Sequence, residues 1–189
     1  MGEKIFFAFY SLLALILFGW MIHAYNAAPH NVMLFIPSSL MRMIGMILMF
    51  IAVLFVVLGF WKGENPTAIQ NKYKKLEARA IRGIFRITRH PVMWGVIMSS
   101  ISYILLKGDL ATIILALSLL ILALIGVYHI DYKKQILLGE SWLSFSAQTS
   151  NIPFVAILSG KNKWVNAEFS ITAIVLAIIL YASFFIFSF

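Results

Sequence analysis

Five long apolar runs constrain this chain more than anything else in it. They cover about 5–25, 40–61, 91–107, 109–128 and 168–188. A helix needs about 20 mostly apolar residues to cross the hydrocarbon core of a bilayer. Inside that core a segment must satisfy its own backbone hydrogen bonds, so runs of this kind fold as helices. The expected fold is all-α: one domain over 1–189, an integral membrane bundle of about five transmembrane helices. Composition agrees, with 62% hydrophobic and only 12% charged residues in the 189, against about 25% charged in soluble domains. The 91–107 run is short and is expected to extend back through Ile84–Ile87. The first run reads as a retained anchor, because it is too long for a signal-peptide core and only Lys4 stands before it.

The basic residues orient the bundle. Lys62, Lys72, Lys74, Lys75, Arg79, Arg82, Arg86 and Arg89 lie in the 62–90 connection. Lys133, Lys134, Lys161 and Lys163 lie in the 129–167 connection. With Lys4, these are 13 of the 15 Lys and Arg residues. The positive-inside rule then places the N-terminus and both long connections in the cytoplasm. Lys107 and Arg42 belong to the other side. Within the second connection, 132–149 is expected to be an interfacial helix, since Ile136, Leu137, Trp142 and Phe145 interleave with Lys133, Lys134 and Glu140. The apolar run from Phe154 to Leu158 is expected to return to the membrane surface. Gly108 and Asp109 form a tight outer turn in which Asp109 caps the next helix. The net charge of +8 is assigned to loops facing an anionic leaflet, so lipids and not nucleic acid are the expected partners. The absence of cysteine removes disulfides, thiolate metal sites and a cysteine nucleophile.

The densest polar chemistry is Gly83-Ile-Phe-Arg-Ile-Thr-Arg-His-Pro91. Pro91 suits the first turn of a helix, so the preceding cations and the imidazole sit where free N–H groups favour an anion. Arg82, Arg86 and Arg89 repeat at helical spacing and would share one face. They read either as headgroup contacts or as a cradle for a phosphate, carboxylate or propionate. His90 reads as an interfacial cap, or as a general acid/base or ligand. His129 and Asp131 close the fourth run at the same depth. A charge there is expected to pair, and Arg86 or Arg89 is the partner for Asp131. Gly95 offers either close helix approach or room for a flat cofactor or lipid tail, and Tyr103 follows two turns later on roughly the same side. His23 and His30 belong to the opposite face. No zinc-binding histidine cluster, phosphate-binding glycine loop or nucleophile–base pair is recognisable.

Taken in order, these motifs resemble a known family. They are Asn65-Pro-Thr67, Arg82-Gly-Ile-Phe-Arg-Ile-Thr-Arg-His-Pro91, Gly108-Asp-Leu110, Ile130-Asp-Tyr-Lys-Lys134, Gly139-Glu-Ser-Trp142 and Thr149-Ser-Asn-Ile-Pro-Phe154. Over nearly its full length the chain resembles the NnrU family. The resemblance implies an association with nitrite and nitric oxide reductase expression in denitrification. That family is similar to the plant 15-cis-ζ-carotene isomerases, which are haem b proteins. More distantly, Arg89-His-Pro-x-x-x-Gly95 is similar to isoprenylcysteine and phospholipid methyltransferases. The methyltransferase resemblance implies S-adenosylmethionine held by Arg86, Arg89, His90 and Gly95, with Asp131 as the one surviving acid of a pair. The isomerase resemblance implies haem, with Tyr103 standing where one axial histidine is expected and the other histidine unmatched. Together these give His90 and Asp131 as candidate catalytic residues, and Arg86, Arg89, His90, Gly95, Tyr103 and His129 as candidate cofactor-binding residues. Members of the family often have an extra N-terminal span, so the resemblance leads us to expect a shortened form whose open side is covered by a second copy (a homo-oligomer) or a partner membrane protein.

Overall fold

A computed structural model describes residues 3–61 and 81–188. The Asn65-Pro-Thr67 motif and the basic residues from Lys62 to Arg79 lie outside the described residues. In chain order the helices are α1 (Glu3–Ala27), α2 (Ser39–Phe60), α3 (Ile84–Ile87), α4 (Pro91–Lys107), α5 (Leu110–Leu138), α6 (Glu140–Gln148), α7 (Val155–Leu158) and α8 (Ile171–Ser188). A 3₁₀ turn at Asn166–Glu168 precedes α8. Three described helices are long and apolar enough to cross a membrane: Ala8–Ala27 within α1, Ser39–Phe60 and Leu110–Leu138. Two shorter apolar helices, α4 and α8, pack among them.

The bundle is a row, α5–α4–α2–α8, whose most extensive contact is between α2 and α4. Small residues create that contact. Gly45, Ala52 and Gly59 recur every seven residues on α2 and are all buried, so one side of α2 is nearly flat. α4 lies against it. A Cβ at Gly95 would sit 2.5 Å from Val56 Cγ2 and 3.0 Å from the Ala52 carbonyl oxygen. Gly95 is therefore a packing glycine, and the room expected there for a flat cofactor is taken by α2. The hydroxyl of Ser102 donates to the Gly45 carbonyl at 2.7 Å, the kind of interhelical bond that close approach permits. On the other flank of α2, Ala173 and Ala177 of α8 are fully buried against Val57.

α1 stands differently. It meets the row chiefly at α5, and its large apolar side chains, Phe9, Leu15, Phe18 and Trp20 among them, are exposed. A helix that is apolar all round belongs in lipid or against another apolar helix.

Two expected elements divide. The interfacial helix expected over 132–149 is two pieces. Residues 132–138 continue α5, and Gly139, at φ 51°, ends that helix before α6 begins. Trp142 and Phe145 of α6 are buried against Ile81, not turned to a surface. Nor does α4 extend back through Ile84–Ile87. The residue before a proline is pushed out of the helical region, and His90 accordingly has φ −121° and ψ 55°, so α3 and α4 are separate.

Candidate functional site

Pro91 opens α4 and leaves His90 as its cap residue, with the His90 carbonyl accepting from the Trp94 N–H at 3.0 Å. Opposite runs α5, whose buried face carries Ala116, Ala123 and Val127. One more turn along that stripe is Asp131, which reaches the start of α4. The Nε2 of His90 lies 2.7 Å from Asp131 Oδ1. Arg89 clamps the same carboxylate, with Nε 3.0 Å from both oxygens and Nη2 2.5 Å from Oδ2. Of the two partners expected for Asp131, the structure selects Arg89.

This geometry assigns roles to the ring nitrogens. An ionised carboxylate only accepts hydrogen bonds, so the proton sits on His90 Nε2. In the neutral ring Nδ1 then presents a lone pair. The His90 side chain is 0% exposed, and Nδ1 has no hydrogen-bond partner among the described residues. A buried polar atom left unsatisfied costs about 1–3 kcal/mol, so it points to a ligand, a water or a catalytic role.

The loop 149–154 clasps this centre. The Arg89 N–H donates to the Ser150 carbonyl at 2.9 Å, and the Phe154 N–H donates to the Ile87 carbonyl at 2.9 Å. The Asn151 carbonyl accepts from Thr88 Oγ1 at 2.5 Å and from the Trp94 indole N–H at 2.8 Å. Thr88 Oγ1 in turn accepts from the His90 N–H at 3.2 Å. Trp94 and Asn151 were not among the expected site residues. Trp94 follows His90 by four positions, one helical turn, which is a usable sequence signal; the Asn151 contact is tertiary.

The three arginines do not form one cradle. Because α3 lasts only four residues, their shared face does not form. Arg86 turns to Glu168, with Nε–Oε2 at 2.6 Å and Nη2–Oε1 at 2.7 Å, and gives its third contact to Asn162 Oδ1 at 2.6 Å. Glu168 also accepts from the Gly83 N–H at 2.7 Å. The Arg86 guanidinium holds the Glu168 carboxyl below its ordinary range despite partial burial, and Glu168 raises Arg86 in return. Arg82 is exposed. It lines a cleft of about 280 Å³ with Leu58, Trp61, Gly83, Phe169 and Ser170. Neither His90 nor Asp131 borders that cleft.

Two other expected residues lie away from the centre. His129 precedes Asp131 by two positions, which turns it to the opposite side of the helix, and it is exposed. Tyr103 is thirteen residues along α4 from His90, a rise of about 20 Å, so the two cannot contact one cofactor atom. Among the described residues no three His, Cys, Asp or Glu side chains group to hold a metal.

A family model described as "NnrU protein" matches residues 1–188. The chain belongs to the NnrU family. Among curated proteins it is 37% identical over 79 residues to the chloroplastic 15-cis-zeta-carotene isomerase of Arabidopsis thaliana. That match covers 42% of this chain and 22% of the isomerase. The Zea mays isomerase is 32% identical over 81 residues, 43% of this chain and 22% of the relative. The chain thus spans about a fifth of the length of the curated relatives it matches. No solved structure matches. Three of the motifs that carry the family resemblance are brought together by the fold: Ile87 to Pro91, Asp131, and Ser150 to Phe154 meet at one place.

Proposed function

We propose that this NnrU-family protein crosses the bacterial inner membrane five times. α4 and α8 serve as the two short spans, and the N-terminus and both long connections face the cytoplasm. At the cytoplasmic ends of α4 and α5 it holds a small ligand that supports expression or assembly of nitrite and nitric oxide reductases. One observation carries this reading: the buried Nδ1 of His90, which has no partner among the described residues and, in the neutral ring, is an acceptor because Nε2 faces the Asp131 carboxylate. The ligand it suits offers a hydrogen-bond donor or an electrophilic centre. An anion is the poorer match, because Arg86 and Arg89 already hold carboxylates. The catalytic version of this reading makes His90 a base and Asp131 its positioning residue. The partial identity to the carotene isomerases favours a second reading, in which the ligand is a lipid-soluble polyene.

The test is complementation of a deletion strain, read as nitrite reductase activity, with membrane level and melting temperature of each variant followed in parallel. His90→Gln and Asp131→Asn are expected to lower the activity at least tenfold while the protein still accumulates. Full activity from a folded His90→Gln protein would sink the site. Ferric haem b and S-adenosylmethionine, each added to purified protein, give a second readout. A Soret band or a rise in melting temperature that is lost in His90→Gln identifies the ligand class.

A further inference from the structure

The segment between α6 and α8 has its apolar side outward. In α7, Ala156 is fully buried and Ile157 packs into the core, whereas Val155 and Leu158 face out, Leu158 at 83% exposure. Ile152 and Phe154 are exposed beside them. Phe154 is held at φ 67°, a left-handed backbone that a bulky residue rarely adopts. It stacks on Trp164 with ring centroids 6.4 Å apart, and Trp164 stacks on Phe169 at 5.0 Å. Lys161 and Lys163 flank the stack and are exposed.

The segment is not loose. Its start is bonded to Ile87, Arg89 and Trp94 at the mouth of α4. Its far end is fixed by Asn162 and Glu168 through Arg86. Two residues after Phe169, α8 begins at Ile171. The apolar side chains are thus fixed at the level where α4 and α8 begin, which the membrane reading above puts at the edge of the bilayer. Aromatic rings and lysines are the residues that settle at that boundary, the rings among headgroups and the lysines on anionic lipid.

We infer that residues 152–164 form a monotopic anchor, with Leu158, Ile152 and Phe154 inserted among the acyl chains of an anionic phospholipid leaflet and Lys161 and Lys163 on its headgroups. The inference rests on the membrane reading above and goes beyond the His90 site. A protein partner covering the same side chains is the competing occupant.

The chain has no cysteine, so single cysteines report cleanly. Leu158→Cys and, as a reference on the outer face of α5, Ile121→Cys are labelled with a nitroxide. The protein is placed in nanodiscs of phosphatidylcholine with or without phosphatidylglycerol. Accessibility to oxygen is then compared with accessibility to a water-soluble nickel chelate. The Leu158 label is expected to favour oxygen when phosphatidylglycerol is present. Its inserted-to-exposed ratio is expected to fall roughly fivefold for each of Lys161→Gln and Lys163→Gln. A Leu158 label open to nickel while the Ile121 label favours oxygen overturns the anchor and leaves the membrane reading standing. If both labels are open to nickel, the membrane reading fails with it. A Leu158 label shielded only after native membrane protein is added assigns the surface to a protein partner and overturns the lipid assignment.

Discussion

Asp109 shows how much one carboxylate can hold. It accepts from the Thr112 N–H at 3.0 Å and from Thr112 Oγ1 at 2.6 Å, and faces His30 Nδ1 at 2.8 Å. Burial pushes its carboxyl up, but the Thr112 and His30 hydrogen bonds outweigh that and hold it at about 2, against an ordinary 3.8. The folded carboxyl therefore keeps its charge after the unfolded one has protonated. Its stabilisation, about 2 kcal/mol, is complete above the ordinary value and is lost as the pH falls toward the depressed one. Asp109→Asn keeps a capping oxygen and is expected to remove part of the acid sensitivity, while Asp109→Ala costs about 1–2 kcal/mol at neutral pH. Thermal unfolding in detergent at pH 7 and pH 3 checks both, and an Asn variant as acid-sensitive as the parent would refute the assignment. The Asp109 cap was legible in the sequence because a cap is local. His30 as its partner was not, because the two are joined only when the turn after α1 lies along Gly108.

Between elements, the spacing of small residues governs. α2 and α4 approach closely because Gly45, Ala52, Gly59 and Gly95 remove side chains from the shared surface. Gly95→Ala forces its methyl onto Val56 and the Ala52 carbonyl. It is expected to cost about 1–3 kcal/mol through overpacking and to move α4, and with it His90, away from Asp131. Melting temperature measured together with reductase complementation tests this; a variant with unchanged stability would show that the helices yield freely. Helix existence was readable from the apolar runs, but helix ends were less so. Gly139 breaks the expected 132–149 helix through a positive φ, and Pro91 separates α3 from α4. Both are single-residue backbone effects inside apolar patterns that otherwise run on.

At the scale of the whole molecule, charge sets the topology proposed above, and the prediction is about sides. Asn31 lies in the turn after α1, and Lys161 lies between α7 and α8. With single cysteines at these positions, a membrane-impermeant maleimide added to intact cells is expected to label Asn31→Cys and to spare Lys161→Cys until the cells are opened. The reverse pattern would invert the orientation and place the His90 centre outside. Among the described residues, the row of helices also leaves most of α1 and the outer face of α5 uncovered.

The sequence by itself determined that this chain is helical and apolar enough for a bilayer, that Asp109 caps a helix, and that His90 stands at a proline-started one. These are consequences of hydropathy and local backbone chemistry, which neighbouring residues settle among themselves. Only the tertiary structure decided that Arg89 takes Asp131 while Arg86 goes to Glu168, that Gly95 is filled by α2, and that His90 Nδ1 finds no partner among the described residues. Two arginines three residues apart have equal claims on a distant carboxylate until the path of the chain brings one of them within reach. The Gly83–Pro91 stretch is where the two levels meet. Its residues supply the polar groups, and the packing of α4, α5 and the 149–154 loop around it determines which of them pair.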